Sequence, residues 1–233
     1  MNATPLHAKL PPSTLPSLEH LGSADFERIY EPSDDTYLLV DALTADAPEL
    51  RRRRPAVCIE VGSGSGCVVT HLGSLLPDAV LLAGDINRAA AAATTATAAA
   101  NGVHIEALHM DLLTALRPGS VDVVIFNPPY VPTSRDELAD AVANCDLSAA
   151  WAGGERGRDV LDRLLPVLGR ALSSDGLFYL LGVAENDPQE IAELLLEQHG
   201  LSSQLLVERR AQNERLFVLR SSRTIASAAP GAG

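Results

Sequence analysis

Cysteine is scarce in this sequence of 233 residues: Cys58, Cys67 and Cys145 are an odd number and include no CxxC pair. That leaves no disulfide framework and no support for a cysteine zinc site, so the thiols are expected to be reduced and mostly buried. No run of about eighteen apolar residues escapes a charge or a breaker, which argues against a membrane-spanning helix. The amino terminus lacks the basic start and compact apolar block of a secretory signal. Basic charge is short as well, with 18 Lys and Arg against 30 Asp and Glu and a formal net charge of −12. Such a balance repels a phosphate backbone, whereas nucleic-acid binders gain affinity by neutralising phosphates, so a protein substrate is favoured over DNA. The one basic cluster, Arg51 to Arg54, reads as the solvated end of a helix. These absences point to a soluble intracellular chain, cytoplasmic with access to the nucleus.

What is present is core-forming material: 46% of the residues are apolar, ample for one large α/β domain. Residues 1–22 carry Pro and Ser without a sustained period and are expected to be flexible; 23–220 form the domain; 221–233, rich in Ala, Ser, Gly and Pro, are expected to be a disordered tail. Short runs rich in Val, Ile and Leu predict buried strands over Ala56 to Val61, Ala79 to Ile86, His104 to Met110, Val121 to Phe126 and Gly176 to Val183. Between them, helices are expected from Gly66 to about Leu76, from Arg88 to Ala100, from Arg158 to Leu172 and from Asp187-Pro188 to about His199. Arg88 to Ala100 is almost all Ala and Thr, and its place between two strands favours a crossover helix over a low-complexity tract. Pro166 should kink the third helix or mark an early turn. Leu205 to Arg209 and Leu216 to Leu219 read as an antiparallel hairpin at one edge of an otherwise parallel, doubly wound sheet.

The first strand runs into Glu60-Val61-Gly62-Ser63-Gly64-Ser65-Gly66, with a glycine at every second position before a helix. Such glycines let the backbone turn tightly and approach a ligand, although a purely structural turn has the same look. The GxGxG spacing differs from the GxGxxG of dinucleotide sites. The second strand ends at Asp85, where a carboxylate can accept both ribose hydroxyl protons, or merely cap the helix near Asn87. Asp111, with Leu112 beside it, ends the third strand and is placed to accept from an adenine amine; its bland role is a turn residue. Acidic strand ends and a glycine loop along one sheet edge fit a nucleoside without a pyrophosphate, since ligands of open α/β sheets bind outside the carboxyl ends of the strands. The fourth strand ends in Asn127-Pro128-Pro129-Tyr130. Two prolines stiffen this loop and leave the Asn127 side chain and the Pro128 carbonyl as aimed acceptors.

At NPPY the chain resembles the amino- and amide-methyltransferases bearing (D/N)PP(Y/F). The segments YEPSDDT at Tyr30 to Thr36, EVGSGSG, NPPYV, AAWAGGERGRDVLDRLLP at Ala149 to Pro166, and GLFYL at Gly176 are similar to the HemK-like glutamine methyltransferases of the eukaryotic and archaeal branch, over roughly Phe26 to Leu219. The resemblance implies a Rossmann-like class I methyltransferase fold with a seven-stranded, mostly parallel sheet and a C-terminal antiparallel hairpin. It also implies S-adenosyl-L-methionine as cofactor, the GGQ glutamine of a class I release factor as substrate, and a small zinc-binding activator subunit as partner. Thr36, Glu60, Gly62, Asp85, Asp111, Leu112 and Asn127 match cofactor-contacting positions of the family, with Gly64, Gly66 and Ile86 alongside. Asn127, Pro128, Pro129 and Tyr130 match its substrate-holding motif. Trp151 is either part of the substrate-side wall or core. No metal ligand is expected. Family members have been linked to other nitrogens, so histone lysine and the exocyclic amine of adenine stand as alternatives. Adenine requires a bound or flipped base, and the acidic balance counts against it. A scaffold with a degenerate pocket is the non-enzyme alternative, and an intact Asn127 and glycine loop count against that.

Overall fold

The computed structural model describes residues 14–134, 136–137, 150–211 and 213–223. Cys145 and the residues around it lie outside these. Strands β1 (Val57–Val61), β2 (Val80–Asp85), β3 (Glu106–His109), β4 (Val121–Phe126), β5 (Leu172–Val183), β6 (Leu201–Ala211) and β7 (Glu214–Arg223) form one seven-stranded sheet in the order β3-β2-β1-β4-β5-β7-β6. The first five are parallel, while β7 runs antiparallel between β5 and β6. From β1 the chain winds outward to β3 and then returns to β4 on the other side of β1. The sheet therefore switches direction between β1 and β4, and the crevice at their carboxyl ends is where such sheets receive ligands. Val61 pairs with Phe126, so the glycine loop and Asn127 leave the sheet side by side.

Strand alternation divides the apolar residues between two cores, although each strand reads as one continuous apolar run. Cys58, Val123, Ile125, Tyr179 and Leu181 face α2 (Asp34–Ala45) and α4 (Cys67–Leu75), packing with Leu38, Leu39, Leu43, Val69 and Leu72. Ile59, Val61, Val124, Phe126, Phe178 and Leu180 face α6 (Asp159–Ala171) and α7 (Pro188–His199) on the other side. In α6, Leu161, Leu164, Leu165 and Leu168 recur at helical spacing and are buried. Pro166 does not end that helix. It lies on the exposed face, where water can serve the Asp162 carbonyl that Pro leaves without its helical donor. Burial pushes the Cys58 and Cys67 thiols up to about 12, in line with cysteines that act as small apolar residues.

Two helices that the sequence pattern did not single out complete the order: α2, and α3 (Ala47–Arg53), whose last turn carries the basic cluster and ends on Arg54 in the left-handed region. A one-turn helix, α1 (Ser23–Phe26), precedes them. The expected boundaries shift at both ends. Ser17 donates its backbone N–H to the Asn101 side chain at 2.8 Å and accepts from it at 2.9 Å, and His20 meets Thr97 at 3.1 Å, so the segment from Thr14 onward is held in place. At the other end β7 continues through Ser221, which is fully buried, pairs with Phe178 and shares a hydroxyl contact of 2.8 Å with Ser203. Both segments are held by polar contacts, which leave no hydrophobic period to read.

Helix α5 (Arg88–Ala100) owes its composition to close packing on the glycine loop. Thr94 donates to Ser63 Oγ at 2.9 Å and Thr97 to the Ser65 carbonyl at 2.6 Å, both from fully buried positions. Gly66 sits at φ +77°, and a Cβ there would lie 2.7 Å from Thr94 Cα, a backbone atom that cannot step aside. Gly66→Ala is therefore expected to cost about 2 kcal/mol and lower Tm by roughly 4–8 °C, measured by thermal denaturation. An unchanged Tm would mean that the helix and loop are less tightly opposed.

Candidate active site

The loop after β1 turns through three left-handed glycines, Gly62, Gly64 and Gly66. Its first N–H, from Gly62, donates to the Gly84 carbonyl at 2.7 Å and ties the loop to β2. Glu60, just before it, points under α4. Its carboxyl is buried, accepts from the Val69 N–H at 2.9 Å, and is held well above the usual carboxylate range by burial, with the Asp85 charge adding. Asp85 is also buried and raised, mainly by desolvation, and accepts from Gly64 N–H at 2.9 Å and Asn87 N–H at 2.8 Å. A carboxylate offers about four lone-pair sites, so acceptor capacity remains for a ligand. Capping of α5 falls to Asn87, whose side chain accepts from Ala89 N–H at 2.9 Å. That removes the bland reading of Asp85 as the helix cap.

Thr36, Glu60, Gly62, Gly64, Asp85, Ile86, Asp111, Leu112, Asn127 and Pro129 line one cavity at the switch crevice. Gly66 and Pro128 do not line it: Gly66 acts through packing on Thr94, and Pro128 is buried. Nothing lies within 4 Å of a Cβ built on Gly64, so that backbone is open to a close-lying ligand. Leu112 stands at φ +50°, an unfavourable conformation for a side chain, on the cavity wall beside Asp111. Asp111 lies two residues past the end of β3 rather than on its last residue, and its Oδ2 is 2.5 Å from Arg163 of α6.

Beyond β4 the residues of NPPY divide between two adjoining cavities, which share Tyr30, Asp35 and Ala150. Asn127 and Pro129 line the one just described, and Tyr130 lines a second together with Trp151, Asp34 and Glu214. Trp151 is 40% exposed, which places it on that wall and not in the core. Asn127 Nδ2 donates to Asp35 Oδ2 at 3.1 Å, while Asn127 Oδ1 is buried with no protein partner. Tyr130 OH approaches the same Asp35 oxygen at 3.4 Å, and burial followed by the Asp35 charge holds its phenol well above the usual value, as a donor. The backbone of the motif is clamped from behind. Asn186 donates to the Tyr130, Arg156 and Gly157 carbonyls at 3.2, 3.2 and 3.4 Å, and a Cβ on Gly157 would collide with the Tyr130 carbonyl oxygen. An unsatisfied buried acceptor costs about 1–3 kcal/mol, so an orphan held in place by such a clamp marks a position that a ligand N–H can fill.

Comparison with known proteins decides the family. Residues 33–147 match the model of the methyltransferase small domain. The chain is 44% identical over 213 residues to "Methyltransferase HEMK2" of Mus musculus, covering 90% of this chain and 96% of that one. It is 36% identical to "eRF1 methyltransferase catalytic subunit mtq2" of Schizosaccharomyces pombe, covering 88% and 94%. The chain belongs to the HEMK2/Mtq2 methyltransferases. Among solved structures, the E. cuniculi Mtq2–Trm112 complex, described as responsible for methylation of the eRF1 termination factor, contains a chain 28% identical, with a TM-score of 0.62, covering 84% of this chain and 99% of that one. The seven-stranded Rossmann-like sheet with its C-terminal antiparallel pair is the fold expected of a HEMK2/Mtq2 enzyme. No helix among the described residues is long and apolar enough to cross a membrane.

Three residues of this HEMK2/Mtq2 site were not marked by sequence reasoning: Asp35, Arg163 and Asn186. Asp35 and Arg163 lie in the YEPSDDT and AAWAGGERGRDVLDRLLP segments that carry the resemblance, but nothing local distinguishes them from helix-cap or surface charges. Glu60 yields a pH test. The unfolded chain releases this proton near the ordinary value of 4.5 and the folded chain only well above it. Stability from this group is therefore lost as pH rises through that interval. Glu60→Gln keeps a carbonyl acceptor for Val69 and has no proton to release. Urea unfolding at about pH 5 and about pH 8 should show a smaller loss in the variant than in the wild type. Equal losses would assign the slope to other groups.

Proposed function

We propose that this methyltransferase moves the methyl group of S-adenosyl-L-methionine to the side-chain amide nitrogen of the GGQ glutamine of a class I release factor, as the catalytic subunit of a heterodimer with a small zinc-binding activator. The observation that carries the reading is the orphan Asn127 Oδ1, buried at the wall of the first cavity on a side chain held by Asp35, which lines both cavities. The S. pombe relative, an eRF1 methyltransferase catalytic subunit, and the E. cuniculi Mtq2–Trm112 complex support the substrate and the partner. The residues present fit the cofactor. Asp85 offers a buried carboxylate for the ribose, and Gly62 and Gly64 leave the backbone open to close approach. Ile86 and Leu112 supply apolar walls, and Asp111 an acceptor for the adenine amine.

When bound, S-adenosyl-L-methionine supplies an electrophilic methyl on a cationic sulfonium. An amide nitrogen is a weak nucleophile, since its lone pair is delocalised into the carbonyl. Orientation and electrostatics must therefore lower the barrier. Asn127 Oδ1 and the Pro128 carbonyl each accept one N–H of the glutamine amide, holding the nitrogen as it turns tetrahedral. Asp85 and the Gly62–Gly64 backbone would hold the cofactor, which would supply the methyl for the new carbon–nitrogen bond and keep the carbon–sulfur electron pair on sulfur, and the amide would then release one N–H proton. Both acceptors strengthen as positive charge grows on nitrogen, which is binding specific to the transition state. Tyr130 encloses the amide and excludes water.

Three measurements test this. Asp85→Ala should weaken S-adenosyl-L-methionine binding at least tenfold in calorimetry, whereas Asn127→Ala should act chiefly on turnover, losing on the order of 10²-fold or more. Unchanged cofactor affinity in Asp85→Ala would remove the ribose assignment. Labelled methyl transfer to a release factor, a histone and DNA, each with and without the activator, should favour the release factor with the activator present. The activator at ~100 times its dissociation constant should add about 2.7 kcal/mol, raising Tm by several degrees. Transfer to histone or DNA alone, or a lone chain equally stable and active, would overturn the substrate or the partner respectively.

A further inference from the structure

We propose that Asp35 is a positioning residue that decides which end of the Asn127 amide meets the acceptor nitrogen, and so makes residue 127 a hydrogen-bond acceptor. The inference rests on the reading that Asn127 faces that nitrogen, and goes on to ask what holds it in its working orientation. The amide of an asparagine is nearly symmetric in shape and can present either oxygen or NH2 to a ligand. Here one side of it abuts a carboxylate oxygen, Asp35 Oδ2 at 3.1 Å, which accepts and cannot accommodate a second acceptor. The NH2 must take that side, and Oδ1 is left facing away, buried and without a protein partner.

Asp35 is itself fixed. It is 3% exposed, and its Oδ1 accepts from Thr36 N–H at 2.6 Å and from Thr36 Oγ1 at 3.2 Å. It stands in the first turn of α2, a twelve-residue helix whose N-terminal dipole favours an anion. The two carboxylate oxygens therefore have separate duties, Oδ1 on the helix and Oδ2 on Asn127 and, at 3.4 Å, on the Tyr130 hydroxyl, while the Tyr30 hydroxyl also bonds to this carboxylate. Donation from Asn127 Nδ2 to a charged acceptor also polarises the amide and makes Oδ1 a better acceptor. Neither residue is near the other in sequence. The β1–β4 register and the α2 N-terminus bring them together.

The separate duties of the two oxygens allow a polarity-swap test. In Asp35→Asn the new side chain keeps its oxygen on Thr36 N–H and turns its NH2 to residue 127. Two NH2 groups then oppose each other, and Asn127 must flip, presenting a donor to the substrate. In Asn127→Asp two carboxylates oppose each other. In the double variant, Asp35→Asn with Asn127→Asp, the amide introduced at position 35 donates to the carboxylate introduced at position 127. The second oxygen of that carboxylate faces the substrate, and the pair carries the same single negative charge as the wild type. Each protein is purified with the activator, and kcat and KM for the release factor, S-adenosyl-L-methionine affinity and Tm are measured. Each single variant should lose on the order of 10²-fold in kcat. The double variant should recover at least tenfold over Asn127→Asp. That comparison decides the matter even if Asp35→Asn folds poorly, because the double variant restores the donor–acceptor pairing. A double variant no faster than Asn127→Asp, or a wild-type kcat in a folded Asp35→Asn, would overturn the proposal. If the wild type instead methylates lysine or adenine, the substrate reading fails, and the same comparison on that acceptor still decides the role of Asp35.

Discussion

The parallel pairing of β1 with β4 is the constraint on which the site depends. These strands are distant in sequence, and their register sets Val61 opposite Phe126. The residues that follow, Gly62 on one strand and Asn127 on the other, are thereby delivered to the same opening. Because side chains alternate along a strand, a slip of one residue would exchange Ile59 and Val61 with Cys58 and Glu60 between the two cores. The buried apolar faces thus hold the register, and the register holds the distance between cofactor loop and NPPY. Hydrophobic packing across the whole sheet is in this sense the source of the positional accuracy that methyl transfer requires.

Much of this architecture was legible from residue pattern alone. The strand over Val121 to Phe126 and the helix over Arg88 to Ala100 agree with the observed bounds, because each is closed by strong punctuation: Asn127-Pro128 after the strand, Asn101-Gly102 after the helix. Where punctuation is weak, bounds moved. β5 begins at Leu172, before the polar Ser173-Ser174-Asp175 that resembles a loop, and β7 carries on through two serines. The glycine loop and NPPY were visible because backbone geometry demands particular residue types there. Asp35 and Asn186 were not, since an acidic residue in a first helical turn and an asparagine near a turn are ordinary features. Their roles come from where the fold carries them.

The site is built with unequal rigidity. NPPY is backed by Asn186, which donates to the Tyr130 carbonyl, and by Gly153 and Gly157, where a Cβ would strike its backbone. Asp111 and Arg163, at the far end of the cavity, are joined by a half-exposed ion pair. An exposed pair contributes little to stability and rearranges easily. The NPPY end, proposed to hold the acceptor, is thus fixed, while the end proposed for adenine can adapt its polar contacts.

The alanine tract of α5 illustrates how little of a helix's role need appear in its hydropathy. Thr94 and Thr97 lie one turn apart on the face that meets the glycine loop, and their hydroxyls reach Ser63 and the Ser65 carbonyl. One extra alanine inserted ahead of them would leave composition, propensity and charge nearly as they were. It would also rotate both threonines by about 100° around the helix axis, away from the loop. A stretch that looks tolerant of length variation is therefore indexed to the residue, and its phase relative to the loop is what a lineage carrying this enzyme must preserve.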